Sequence, residues 1–208
     1  MGASVGSFLN VVAFRVPLGR SVVSPGSACP SCDKSIAWYD NIPVLSWFIL
    51  GGKCRYCKAP FSFRYAGVEL FFGVYTPAIV MRWDLTIHSL TCIIVGAILV
   101  AIALIDHDSW LIDDRMSAAV AILGLIGHGA SLIIDTGLPW QPALVSVATH
   151  FAAGAIAFGL LFGMGYVMTK ALDKEALGGG DAPLFAAIVC ATGWAGLLPV
   201  LMLASLQG

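Results

Sequence analysis

Two groups of residues in this chain have types and spacings that could do chemistry: aspartates at two places, and four cysteines in two pairs. Asp106, Asp108, Asp113 and Asp114 fall together, and Asp181 follows Gly178, Gly179 and Gly180. Two aspartates brought together are the minimal equipment for aspartyl proteolysis, because like charges at close range cannot both ionise. The ionised one activates a water as general base. The protonated one polarises the scissile carbonyl and later protonates the leaving amine. Ionisable residues at membrane depth are costly and usually functional. A plainer reading stands beside each group: Asp181 as the N-cap of a helix after a flexible loop, and the 106–114 cluster as a solvated loop end. The glycine run permits positive φ and close approach of another backbone. A carboxylate following it at a helix start is favoured by the helix dipole.

The cysteines read Cys29-Pro-Ser-Cys32, then 21 residues, then Cys54-Arg-Tyr-Cys57. Two residues between paired cysteines let both sulfurs face one ion, and two such knuckles complete a tetrahedral thiolate shell for zinc. Four protein ligands leave no open position for water, so the zinc is expected to be structural. Lys34, Lys53, Arg55 and Lys58 lie nearby and are expected to offset the thiolate charge and lower the thiol pKa values. Disulfides are the alternative, and a reducing compartment argues against them. Cys92 and Cys190 lie in apolar stretches and read as small buried hydrophobes. His88, His128 and His150 read as packed or interfacial residues.

Positioning these groups falls to an unusually apolar chain. Of 208 residues 59% are hydrophobic and 11% charged, with a mean hydropathy of +0.89. A soluble domain carries about 25% charged residues. Such a chain cannot cover a soluble surface, and the class is integral membrane, all-α and polytopic. No basic face suited to nucleic acid is present. Apolar stretches run over roughly 2–17, 66–82, 86–105, 116–134, 144–170 and 182–206. A spanning helix needs about 20 such residues, so about six membrane helices are expected. The first stretch is short and reads as a clipped span. The organisation is then a first helix over 1–17, a polar zinc-binding loop over 18–65, and a membrane core over 66–208. Ten of the eleven Lys and Arg residues fall in or beside the first, third and fifth connections, with Arg82 the exception. The bias of basic residues toward cytoplasmic loops places those connections, and both aspartate groups, on the cytoplasmic side.

At this point the motifs resemble those of the type IV prepilin peptidases, bacterial inner-membrane enzymes of pilus assembly and type II secretion. Gly6-Ser-Phe-Leu-Asn-Val-Val-Ala-Phe-Arg-Val-Pro17 is similar to the family's opening motif. The cysteine loop with Trp38-Tyr-Asp-Asn-Ile-Pro-Val-Leu-Ser-Trp47 is the most specific match. Leu104-Ile-Asp-His-Asp108 resembles the segment that holds the first catalytic aspartate, and Gly178-Gly-Gly-Asp181 resembles the second motif. The resemblance implies Asp106 and Asp181 as the catalytic pair, with Asp114 at a further aspartate position of the family. Asp113 stands where proline is usual, and Pro183 where lysine is usual. The family usually has eight spans. The resemblance also implies prepilin or pseudopilin substrates and N-methylation of the new N-terminal amine with S-adenosylmethionine. For that activity Trp38, Asp40, Asn41 and Glu69 are candidates in the loop region. Glu69 beside Arg64 also reads as a helix-start carboxylate or an ion pair. A catalytically inactive membrane scaffold with a zinc module is a rival reading. A proton-coupled transporter is another, and would need carboxylates near the bilayer midplane.

Overall fold

The computed structural model describes residues 1–174 and 177–207, with side chains through Met202; residues 175 and 176, in the connection before Asp181, lie outside the described residues. The described residues form eight α-helices: α1 (Gly2–Arg15), α2 (Leu45–Ile49), α3 (Phe63–Trp83), α4 (Ile87–Ser109), α5 (Asp114–Ile134), α6 (Trp140–Leu172), α7 (Asp181–Thr192) and α8 (Trp194–Gln207). A short 3-10 turn, Trp38–Asn41, precedes α2. Among the described residues there are no strands, only two isolated bridges in the loop after α1.

Helices α4, α5 and α6 are long and apolar enough to cross a membrane. With no water to satisfy backbone groups in lipid, helices of this kind are one of the two viable spanning structures, and the chain is an all-α polytopic membrane protein. Helix α3 is 21 residues long but carries Arg64, Glu69 and Arg82. Helix α1, with 14 residues, is about 21 Å long at 1.5 Å per residue. The sixth apolar stretch, expected as one helix, is two. Gly193 separates α7 from α8 with φ +68, and a Cβ there would lie 2.5 Å from Nε2 of His150. A single glycine in an apolar run carries no strong sequence signal of a break, because glycine is common in membrane helices.

The chain divides into two compact units. One comprises Met1–Arg82 with Ala103–Ser109, and the other Trp83–Ile102 with Trp110–Gly208. In the first, α1 packs on α3 through small residues. A Cβ on Gly6 would lie 2.7 Å from Cα of Glu69, and Asn10 Nδ2 donates to the Tyr65 carbonyl at 3.1 Å. In the second unit, Val95, Ile102, Val120 and Ala187 form one buried cluster, and Ala153, Ala157, Phe185 and Val189 another. Lipid is as apolar as leucine, so close backbone approach at small residues holds membrane helices together. A Cβ on Gly124 would lie 2.5 Å from that of Ala191, and one on Gly154 would lie 2.1 Å from Sγ of Cys190. Cys190 is buried there, as its sequence context implies. Asp135 closes the start of α4 by accepting the N–H groups of Ile87 and His88 at 3.1 and 3.0 Å. The rings of His128 and His150 stack at 3.9 Å, with Nε2 of His128 2.9 Å from Oγ of Ser146. Both are packed between helices, as expected.

Candidate functional site

The cysteine loop is built from two copies of one local pattern. In the first, the Asp33 N–H donates to the Cys29 carbonyl and the Cys29 N–H to the Lys34 carbonyl. In the second, the Lys58 N–H donates to the Cys54 carbonyl and the Cys54 N–H to the Ala59 carbonyl. Asp33 and Lys58, each four residues after the leading cysteine, both take left-handed φ of 54 and 60. Antiparallel bridges Ala28–Ser35 and Lys53–Pro60 close the knuckles.

All four sulfurs lie within 4.8 Å of one another, with Cys29 Sγ 3.7 Å from Cys57 Sγ. The edge of a tetrahedron with metal–sulfur bonds of about 2.3 Å is about 3.8 Å. None of the cysteines is in a disulfide. The donor set and its spacing therefore fit a tetrahedral metal ion, and four thiolates suit zinc. Leading residues Cys29 and Cys54 are buried, whereas Cys57 is exposed.

The electrostatics of the loop differ from the expectation. The Cys54 thiol is lowered to about 6 by the backbone N–H groups of Cys57 and Tyr56, not by basic side chains. For Cys32 the Lys34 N–H favours the thiolate, but desolvation and the three neighbouring sulfurs push the thiol up to about 11. Arg55, one of the four expected cations, is committed elsewhere. Its guanidinium donates to both carboxylate oxygens of Asp40, at 2.7 and 2.6 Å, and holds that carboxyl below its ordinary range. Lys34 sits over the Tyr56 ring, 4.7 Å from its centroid. Arg15 donates to the carbonyls of Ser21 and Gly26, tying the start of the loop to the end of α1.

Trp38, Asp40 and Asn41 share the 3-10 turn. Asp40 and Asn41, but not Trp38, line a cavity of about 790 Å³, within the range of small-molecule sites. Asn10, Asp40, Asn41, Tyr65 and Glu69 are among its lining residues. Glu69 makes no ion pair with Arg64. Its carboxylate accepts the backbone N–H of Val44 at 2.6 Å. Sequence reasoning missed Val44, because a β-branched residue gives no sign of the positive φ (66) found there.

The aspartate cluster at the end of α4 separates into different roles. Asp108 accepts from Arg64 and lies 3.1 Å from Nδ1 of His107. Asp113 is the N-cap of α5 and accepts the Arg115 N–H at 2.8 Å. Asp106, in the last turn of α4, is half-buried, and its side chain has no hydrogen bond or ion pair among the described residues. Asp114, the first residue of α5, lines a second cavity of about 340 Å³ with Ser117, Pro183 and Cys190.

Asp181 is the first residue of α7, and the N-cap position falls to Gly180. The Asp181 carboxylate accepts the Gly178 N–H at 3.1 Å. None of the three glycines has positive φ; Gly180 sits at −87. Close approach is their use instead. A Cβ on Gly180 would lie 2.6 Å from that of Ile112 and one on Gly178 would lie 2.8 Å from Oδ2 of Asp181, while one on Gly179 would meet nothing within 4 Å among the described residues.

Comparison with known proteins covers the chain from end to end. The Bacterial Peptidase A24 N-terminal domain model matches residues 1–83, and the Type IV leader peptidase family model matches residues 93–208. A prepilin leader peptidase/N-methyltransferase of Myxococcus xanthus is 39% identical over 209 residues, which cover all of this chain and 59% of that protein. A type 4 prepilin-like proteins leader peptide-processing enzyme of Escherichia coli is 35% identical over 225 residues, covering all of this chain and 80% of the relative. A prepilin leader peptidase/N-methyltransferase of Klebsiella pneumoniae is 32% identical over 210 residues, covering 98% of this chain and 87% of the relative. No solved structure matches the chain. Both halves of the sequence thus match consecutive parts of one kind of enzyme, and the chain belongs to the type IV leader peptidase family.

Proposed function

We propose that this protein is a bacterial inner-membrane aspartyl endopeptidase that removes the leader from prepilins or pseudopilins at the cytoplasmic face, with Asp106 and Asp181 as its two carboxylates. The observation that carries the choice is the sorting of the aspartates. Asp108 and Asp113 already have partners, whereas Asp106 and Asp114 have none among the described residues, and of these two Asp106 stands in the segment that resembles the family's first catalytic motif. A carboxyl that must take and give a proton during turnover cannot also be held ionised by a guanidinium. In the proposed reaction one carboxylate takes a proton from water, and the oxygen attacks the scissile carbonyl. The other carboxyl gives its proton to the departing amine, and the peptide bond breaks. The bias of basic residues supports the cytoplasmic side. Cleavage of a prepilin by purified protein, lost in Asp106→Asn and in Asp181→Asn, tests this reading.

The loop is proposed to hold one structural zinc ion on Cys29, Cys32, Cys54 and Cys57. Their sulfurs already stand at tetrahedral spacing. A second activity, methylation of the new N-terminal amine, is proposed for the cavity beside the loop. Its volume suits S-adenosylmethionine, which when bound supplies an electrophilic methyl group. Asn10, Asn41 and Tyr65 offer polar groups for orienting it there. The names of the relatives from Myxococcus and Klebsiella support this assignment. Radiolabelled methyl transfer to a cleaved pilin peptide tests it.

A further inference from the structure

Val44 is held in a conformation its side chain disfavours. Its φ of 66 and ψ of −55, with the Leu45 N–H donating to the Pro43 carbonyl at 2.7 Å, define a strained γ-turn. Positive φ is an outlier for a β-branched residue. Such strain persists only where the surroundings over-determine it. Here the surroundings are a carboxylate on another helix. Glu69 of α3 accepts the Val44 N–H, a charge-assisted bond at 2.6 Å. Glu69 is itself fixed, because Gly6 of α1 lies against its backbone and Asn10 bonds Tyr65 one turn away.

What the turn positions is the segment before it. The Ile42 N–H donates to Oγ of Ser46, and that hydroxyl donates to the Tyr39 carbonyl. The Trp38–Asn41 turn is thereby set against α2. From it Asp40 reaches Arg55, between the cysteines of the second knuckle. A continuous set of bonds thus runs from the apolar helix α3 through Val44 to the metal loop. Asp40, Asn41, Ile42 and Pro43 of this segment all line the larger cavity.

We propose that Glu69 is a positioning residue for the methyl-transfer site, tethering the Asp40–Pro43 wall of the cavity to α3 through the strained Val44 turn. The inference rests on the reading of that cavity given above. It assigns Glu69 no proton transfer and no contact with the reacting atoms. The role makes one requirement that a catalytic role does not. Glycine takes positive φ without steric cost, so Val44→Gly removes the need for the carboxylate.

The test uses the full chain in detergent, with zinc content measured in every preparation. Glu69→Ala, Glu69→Gln, Val44→Gly and Glu69→Ala with Val44→Gly are compared by limited proteolysis of the 18–65 loop and by methyl-transfer kinetics. Glu69→Ala is expected to raise the cleavage rate of the loop about tenfold, the scale of releasing one strained residue. It should raise KM for the methyl donor more than it lowers kcat. Glu69→Gln keeps an acceptor for the Val44 N–H and should stay close to wild type. The double variant should regain protection and KM. Unchanged protection in Glu69→Ala, or a double variant as loose and as inactive as Glu69→Ala alone, overturns the tether. If protection follows the expected order while methyl transfer is the same in all variants, the functional half is overturned, and the reading of the cavity fails rather than the tether. Prepilin cleavage measured in the same preparations shows that each variant is folded.

Discussion

Arg64, at the start of α3, donates to the carboxylate of Asp108 in the last turn of α4, and this pair separates Asp108 from its neighbour Asp106. Both sit within one short stretch of sequence, and both are aspartates. Only one is free of a cation among the described residues. Asp106→Asn is therefore expected to lower prepilin cleavage by at least about 100-fold, the scale of losing a general acid or base. Asp108→Asn is expected to keep substantial activity, losing only an exposed ion pair, of the kind that contributes about 0–1 kcal/mol. Initial rates on one prepilin, at matched enzyme concentration, check this. Wild-type cleavage by Asp106→Asn would remove it from the mechanism.

The loop carries a pH prediction whose sign follows from Cys54. Its folded-state pKa is lowered from 9.0 to about 6 by backbone N–H groups. A thiol lowered in the folded state favours the thiolate, so its contribution is present at alkaline pH and is lost as pH falls through about 6. Thiolates are the metal ligands, and affinity falls as they protonate. Zinc retention against a competing chelator should therefore weaken as pH falls, with Cys32, whose thiol is pushed up, protonating before Cys54. Cys32→Ser should release the metal across the whole range and make the 18–65 loop sensitive to protease. Metal analysis on reduced, freshly purified protein gives the stoichiometry. An absence of zinc would remove the metal site.

The helical content was legible because membrane helices announce themselves by apolar length, and the knuckles were legible because two CxxC pairs allow few alternatives. What escaped lies in contacts that composition does not encode. Gly193 breaks the last apolar stretch by lying against His150, far back in the sequence. Basic residues near the cysteines suggested a side-chain cause for thiol acidity, yet Arg55 pairs with Asp40 and backbone groups act instead. Glu69 beside Arg64 in sequence suggested an ion pair. On one helix the two are five residues apart, off the three- and four-residue spacing that brings side chains together, and each finds a partner elsewhere.

The topology prediction comes from charge alone. Reporter fusions after Lys58 and after Asp135 should report opposite sides of the membrane, the first cytoplasmic. Ten of the eleven basic residues fall in or beside three alternate connections, a strong asymmetry for short loops. Reporters on the same side would contradict the arrangement.

The glycine run before Asp181 makes the last prediction, because its three members face different surroundings. A Cβ added at Gly179 would meet nothing within 4 Å among the described residues, so Gly179→Ala should leave stability and cleavage close to wild type. Gly180 sits at φ −87, which alanine accepts, so any effect there is steric and not conformational. Its added methyl would meet Cβ of Ile112 at 2.6 Å, an atom rigidly attached to backbone. Overpacking of that kind costs about 1–3 kcal/mol. Gly180→Ala should lower the unfolding temperature in detergent and displace the start of α7, taking Asp181 with it. Cleavage should fall at least about tenfold, since misplacement by about 1 Å is already costly to catalysis. Gly178 is the informative middle case. The nearest described atoms to its added methyl are those of the Asp181 carboxyl, with Oδ2 at 2.8 Å, which a side-chain rotation relieves. That rotation also gives up the Gly178 N–H donated to the carboxylate. Gly178→Ala should therefore reduce cleavage while leaving the unfolding temperature nearly unchanged. If all three variants cleave alike, the carboxylate of Asp181 does not depend on this turn, and its place in the proposed catalytic pair fails with it.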